Sequence, residues 1–262
     1  MDILRRSLAP ISDSGWEEIN GLAADYLKST LSARFLVGAS SPKGWSHQVV
    51  SEGRLGGIKK KGEVSYGLYS VKPLLELRVP FELDIWELDN ASRGARDVDL
   101  DVIEKAAGEL AQFEDSVIYE GLKEAGIEGL IAAAASPSIE FPKEPELMAQ
   151  AVSAGVSNLR RNGIEGPYNL AVPPEVWEKI KGFVKGRSLS EHIERILGGD
   201  LIPARSLKQP ILVSARGGDF DLSLGQDISI GYGAHTTKTV SLYFTESFTF
   251  RIFEPRAVLV FK

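Results

Sequence analysis

The sequence predicts an α+β protein, and three observations predict it. Apolar residues recur at three- and four-residue steps over 16–31 and again over 100–118, the period of a helix face. They alternate over 77–88 and crowd together over 239–253, as strand residues do. The order is helix, glycine-rich arm, strand, long helix, mixed segment and late strands, which is not the order of a regular βαβ winding.

The first helix is predicted from Ser14-Gly15-Trp16-Glu17, which has the spacing of a capping box. Trp16, Ile19, Ala23, Tyr26, Leu27, Thr30 and Leu31 form its apolar face, suited to a core or to a partner. Residues 37–72 are rich in Gly and Ser and read as a long hairpin with a basic tip at Gly56-Gly57-Ile58-Lys59-Lys60-Lys61-Gly62. Such lysines blunt an exposed edge. Alternatively, they equip an arm that reaches a neighbour, because two strands alone bury little surface.

A strand over 77–88 puts Val79, Phe81, Leu83 and Ile85 on one face and Arg78, Glu82, Asp84 and Trp86 on the other. An aromatic on a polar face is either covered by its own chain or serves as an anchor or stacking platform. Asp99 is placed to cap a helix running to about residue 125, with Gly126 as its stop. That is a spine of roughly 26 residues, or about 39 Å. Further helices are expected over 146–161, 174–183 and 192–197, and strands over 168–172, 211 onward, 239–253 and 257–261.

The 262 residues suffice for one large domain or two small ones, and 43% apolar and 25% charged residues are ordinary for a folded soluble protein. A net charge of −6 without a basic tail argues against nucleic acid as the main partner. There is no cysteine, so disulfides, thiolate metal sites and cysteine nucleophiles are excluded. No run approaches the roughly 20 apolar residues of a membrane span, and the start does not read as a secretory signal. A soluble cytoplasmic protein is expected.

No catalytic constellation emerges. His47, His192 and His235 stand apart, without metal-ligand spacing. The acid pairs Glu114-Asp115 and Glu87/Asp89 lie among other charges and read as a solvated face or a subunit contact. The glycine pairs match neither a P-loop nor a dinucleotide fingerprint, and no serine sits in a nucleophile elbow. The polar loop over 181–192 is an ordinary surface loop unless symmetry gathers its copies.

Six segments in order resemble the encapsulins, shell proteins of bacteria and archaea. They are Leu4-Arg5-Arg6-Ser7-Leu8-Ala9-Pro10, Phe81-Glu82-Leu83-Asp84-Ile85-Trp86-Glu87-Leu88-Asp89-Asn90, and Phe113-Glu114-Asp115 with Val117-Ile118 and Gly121. They continue with Gly163-Ile164-Glu165-Gly166-Pro167-Tyr168, then Gly217-Gly218-Asp219-Phe220 with Gly225-Gln226-Asp227-Ile228-Ser229-Ile230-Gly231-Tyr232, and Thr245-Glu246-Ser247-Phe248-Thr249-Phe250. Residues 38–65 and 132–144 depart from the family pattern, and Gly38 stands where the family often has an acid.

The resemblance implies the fold of tailed-phage major capsid proteins. It implies an N-terminal helical segment over 1–36, an extended arm over 37–75, a peripheral domain from 76–128 and 219–255, and an axial domain from 129–218 and 256–262. It implies a homo-oligomeric icosahedral shell enclosing a cargo enzyme, a peroxidase or a ferritin-like iron oxidase, which docks by a short C-terminal peptide. Leu31, Arg34, Phe35 and Ile230 are then candidates for the cargo groove, an apolar channel with one charge to orient the peptide. Lys185, Arg187, Ser188, Glu191 and His192 are candidates for a fivefold pore. Trp86 beside Arg78 is a candidate platform for a planar cofactor such as a flavin; otherwise no cofactor or metal is implied. A DNA-packaging capsid protein and a protease or bacteriocin are the competing expectations.

Overall fold

The computed structural model describes residues 2–95, 97–185 and 187–262, without the side chains of residues 184–187. Helix α1 (Asp13–Thr30) is capped by Ser12, whose Oγ accepts from the Gly15 amide at 3.2 Å. Ser12 is the last extended residue; the predicted cap, Ser14, already lies within the helix. A short α2 (Ala33–Val37) follows. Strands β1 (Val49–Lys61) and β2 (Val64–Pro73) form the arm and, among the described residues, pair only with each other. The predicted tip, 56–61, is strand; the turn is Gly62-Glu63, with Gly62 at a φ of 61°.

Strand β3 (Leu75–Asp84) ends four residues earlier than predicted. Asp84 caps α3 (Ile85–Ser92), accepting from the Trp86 amide at 2.7 Å. Helix α4 (Asp101–Tyr119) is the spine. Its 19 residues span about 28 Å, not 39 Å. Its N-cap position is Leu100, and Asp99 makes no cap bond to the helix N-terminus beyond a 3.4 Å contact with the Asp101 amide. The helix stops early because Gly121 turns the chain at a φ of 91° into the small pair β4 (Gly121–Leu122) and β5 (Ile127–Glu128). Gly126 ends only the 3₁₀ turn between them.

The chain continues through α5 (Leu130–Ala133), α6 (Pro145–Arg161), β6 (Tyr168–Val172), α7 (Pro174–Gly182), β7 (Val184–Lys185) and β8 (Arg187–Ser188). Helix α8 (Leu189–Leu197) begins three residues before the predicted start, and β9 (Leu201–Pro203) and β10 (Ile211–Ser214) follow. Strands β11 (Phe220–Leu224), β12 (Ser229–His235), β13 (Thr239–Ile252) and β14 (Val258–Val260) complete it.

Two sheets organise these elements. In the first, β13 is central: β3 lies antiparallel along one edge, and β12 and β11 lie end to end along the other. The second has the order β14-β10-β6-β9, with only β6 and β9 parallel. Helices α1 and α4 pack on the first sheet through Ile19, Ile103, Leu110, Leu83, Leu242 and Phe244. Helices α6 and α8 pack on the second through Val152, Leu159, Ile193, Leu170 and Phe261. A third core, with Leu36, Ile118, Phe248 and Phe250, joins them. The segment before the arm is bonded along β11, Ser40 to Leu222, Lys43 to Leu224 and Gly44 to Gly225, so only 49–73 projects.

At the end of α4 the backbone passes close to Gly129. A Cβ on Gly129 would lie 2.3 Å from Glu120 C and Gly121 N, whereas one on Gly21 of α1 would meet nothing within 4 Å. Gly129→Ala is expected to destabilise the chain by about 3 kcal/mol or more. Gly21→Ala should stabilise it by roughly 0.5–1 kcal/mol. Denaturant midpoints of the two variants check both signs.

Candidate functional site

Four elements meet at one guanidinium. Arg34 of α2 donates from Nε to Glu114 Oε1 of α4 at 3.0 Å and pairs again with that carboxylate through Nη2. Nη2 also reaches Glu246 Oε1 of β13 at 2.6 Å, and Nη1 reaches Asp227 Oδ1, between β11 and β12, at 3.2 Å. Glu114 and Glu246 are fully buried, while Asp227 is part-exposed. Beside them, Asp115 accepts from the Ser32 and Ala33 amides at 3.1 and 2.8 Å, and from the Ser32 hydroxyl. Ser32 Oγ lies 2.9 Å from the Tyr119 hydroxyl. The link from α1 to α2 is thereby fastened to the spine.

One cation faces three carboxylates, so the proton distribution follows from burial. Burial pushes the Glu246 carboxyl well above the usual range, the charge of Glu114 pushes it further, and Arg34 offsets only part. Burial lifts Asp115 to about 6 against the bonds from Ser32 and Ala33. It also raises the Tyr119 hydroxyl, with Asp115 adding to the effect. Burial disfavours the Arg34 charge, but its bond to Glu114 and the charges of Glu114, Glu246 and Asp227 outweigh that and hold it cationic. Glu246 Oε2 is buried without a partner among the described residues, as suits a neutral acid better than an anion.

The predicted solvated pair Glu114-Asp115 is thus a buried pair. The ladder Ile103, Ala107, Leu110 places the next core-facing position at 114, so the helix phase carried the signal. Sequence reasoning also missed Glu246 and Asp227 as partners of Arg34. Glu246 lies in a continuous buried run from Phe244 to Phe250, where a carboxyl needs a partner.

The four groove candidates separate. Ile230 lines a groove of about 280 Å³ between α1 and β12, with Leu4, Asn20, Ala23, Ala24, Leu27 and Phe244. Phe35 is half-exposed and lines a different depression of about 250 Å³, with Gly217, Gly218 and Phe220. Leu31 is buried in the α1–α4 core, and Arg34 is consumed by its carboxylates.

Arg78 and Trp86 are not brought together within one chain. Six extended steps separate Arg78 from the end of β3, roughly 20 Å. Trp86 is exposed on α3, not on the polar face of a strand. The aromatics near Arg78 are Tyr243, at 4.8 Å from ring centroid to guanidinium, and Trp45, at 6.0 Å.

Of the pore candidates, Ser188 is at the N-cap of α8 and lies 2.8 Å from the Ser190 hydroxyl, and Glu191 and His192 are exposed on its first turn. The side chains of Lys185 and Arg187 lie outside the described residues. The histidines stay apart: His235 Nδ1 is 2.6 Å from the Tyr232 hydroxyl, and His47 Nε2 is buried without a partner among the described residues. Among those residues no group of acids and histidines is arranged to hold a metal, and no helix is long and apolar enough to cross a membrane.

The fold has close counterparts. A virus-like particle protein from Pyrococcus furiosus superposes with a TM-score of 0.64 at 19% identity, covering 94% of this chain and 98% of that one. The capsid protein of Myoviridae phage XM1 does so with a TM-score of 0.54 at 10% identity, covering 87% and 90%. At those identities the likeness concerns the fold, that of tailed-phage capsid proteins. The sequence goes further: residues 1–249 match the family described as "Encapsulating protein for peroxidase". The chain belongs to the encapsulin shell-protein family. The type 1 encapsulin shell protein of Mycobacterium tuberculosis is 38% identical over 260 residues, 98% of each chain. That of Brevibacterium linens is 35% identical over 253 residues, 95% of each. These relatives are structural shell subunits, so the family role is that of a container.

Two outcomes follow from the cluster. Arg34→Ala leaves Glu114 and Glu246 buried without a countercharge and should cost about 3–5 kcal/mol, against about 1 kcal/mol or less for Glu246→Gln; equilibrium unfolding of the two variants checks the contrast. Asp115 binds its proton more tightly when folded, so its stabilising contribution is full below about pH 4 and lost as pH rises through about 6. That change is about 2–3 kcal/mol, and Asp115→Asn should flatten the unfolding midpoint over this window.

Proposed function

We propose that the chain closes with its copies into an icosahedral shell that holds an enzyme in the cytoplasm. The cargo is a peroxidase or a ferritin-like iron oxidase, and small substrates cross at pores. The observation that carries the docking step is the groove between α1 and β12, open beside Ala24 and floored by Ile230, Leu27 and Phe244. Its apolar lining suits a peptide with small apolar side chains, and Arg6 and Asn20, which also line it, offer donors to the peptide backbone. A short C-terminal peptide of the cargo fills it.

The axial part is assigned to 129–218 and 256–262, and the peripheral part to 76–128 and 219–255. The paired strands β7 and β8 lead into α8, and fivefold symmetry at this point would ring Ser188, Glu191 and His192 of successive copies. A ring of one residue type sets the charge and width of a pore.

Phe35→Asp tests only the second depression, and an Arg34 variant tests the fold as much as the dock. Ala24→Arg is the cleaner probe, because Ala24 is exposed and lines the groove. Shells of Ala24→Arg should form normally but co-purify with about tenfold less cargo than the parent, since the side chain fills the apolar channel. Undiminished cargo in intact shells would remove the groove from the docking role.

A further inference from the structure

A strand irregularity brings a phenol and an imidazole together at the end of β12. Residues three apart on a strand normally point to opposite faces. Here the register with β13 slips between Tyr232 and Ala234, so Tyr232 stands opposite Leu242 and His235 opposite Val240. The extra residue at Gly233 thus puts Tyr232 and His235 on one face, and bulges commonly re-aim a side chain in this way. The Tyr232 hydroxyl lies 2.6 Å from His235 Nδ1.

The two partners differ in burial. The Tyr232 ring belongs to the core beneath α1, with Leu242, Val240 and Phe244, while His235 is exposed at the rim. A neutral imidazole that carries its proton on Nε2 accepts from the phenol at Nδ1. The other buried tyrosines have no such partner. Tyr119 meets the Ser32 hydroxyl, and Tyr168 donates to the Ile164 carbonyl at 2.7 Å. Among the described residues, Tyr232 is the one tyrosine whose hydroxyl bonds a base.

This pairing bears on oxidation. The chain has no cysteine, and of its two methionines Met148 is fully buried and the other is the first residue. The side chains that usually absorb oxidants are therefore absent or sheltered, and one-electron oxidation falls to aromatic rings. A phenol that loses an electron becomes a strong acid, and a buried ring cannot hold that charge without a proton acceptor at hand. A hydrogen bond kept for packing alone would need only an acceptor; an imidazole can also keep the proton.

We propose that Tyr232 and His235 form a one-electron oxidation site that quenches oxidants of the carbonate-radical or high-valent haem class. One electron passes from the Tyr232 ring to the oxidant. The phenolic O–H bond breaks, and its proton forms an N–H bond at His235 Nδ1. A neutral tyrosyl radical and an imidazolium result. A small reductant such as ascorbate returns the electron, and His235 returns the proton. On the docking reading above, Ile230 of the groove lies on the same face of β12, about 7 Å along the strand from Tyr232. An oxidant escaping an enzyme held there would arise beside the pair.

The purified chain, free of cargo, is treated with peroxynitrite in bicarbonate. That mixture supplies the carbonate radical, which removes one electron, and nitrogen dioxide, which converts a tyrosyl ring to 3-nitrotyrosine. Peptide mass spectrometry then reads nitration at each tyrosine. Part-exposed Tyr26 of α1 serves as the internal standard. Tyr232, though only 9% exposed, is expected to be nitrated at least as much as Tyr26. In His235→Gln, which keeps an acceptor but no base, nitration of Tyr232 should fall at least about fivefold while that of Tyr26 is unchanged. Equal nitration of Tyr232 in the parent and in His235→Gln overturns the proposal, and so does a parent in which Tyr232 is nitrated less than Tyr26. The second comparison needs no variant. Neither needs cargo or a closed shell, so the outcome is separate from the fate of the docking reading.

Discussion

The buried contact between Arg34 and its carboxylates is the constraint on which the rest of the subunit depends. It is made by residues remote in sequence, from α2, α4, β13 and the β11–β12 turn, and it ties α2 to the spine and to the first sheet. Buried ion pairs of this kind contribute little net stability, because desolvation consumes most of the attraction. Their effect is positional. Only one placement of α2 satisfies Glu114 and Glu246 together, and α2 fixes where α1 leaves the spine.

The arm obeys the opposite logic. Two paired strands cannot hold themselves in water on the surface they bury, and among the described residues β1 and β2 pair with no other strand. They are anchored at the root by Arg251, which donates to the Ser51 carbonyl while its Nε bonds Asp221 of β11 at 3.0 Å. Beyond that anchor the apolar side chains are exposed. A lone subunit with such an arm is prone to associate, and ordered association is what a shell requires.

Much of this was legible in the sequence. The apolar period of α1, the alternation before Asp84 and the dense run of β13 all reported their elements, because each packs one face on a core. Misreadings arose where a single backbone position overrode periodicity. The α4 pattern continues past Tyr119 in apolar content, yet Gly121 and the backbone beside Gly129 end the helix. Ile85 extends the strand alternation, but Asp84 followed by Glu87 is a helix start. The candidate site was less legible still. Of the groove candidates, Arg34 is buried in an ion cluster and Ile230 lines the groove beside α1. Arg34's partners lie 80 to 212 residues away in sequence, so only the folded chain brings them together.

The proposed shell requires that this chain alone close into a hollow particle. Electron microscopy of the purified chain, expressed without any cargo and fractionated by size, tests it most directly. Uniform hollow particles with icosahedral symmetry are the predicted result. A stable monomer or a small open ring as the only species would contradict it.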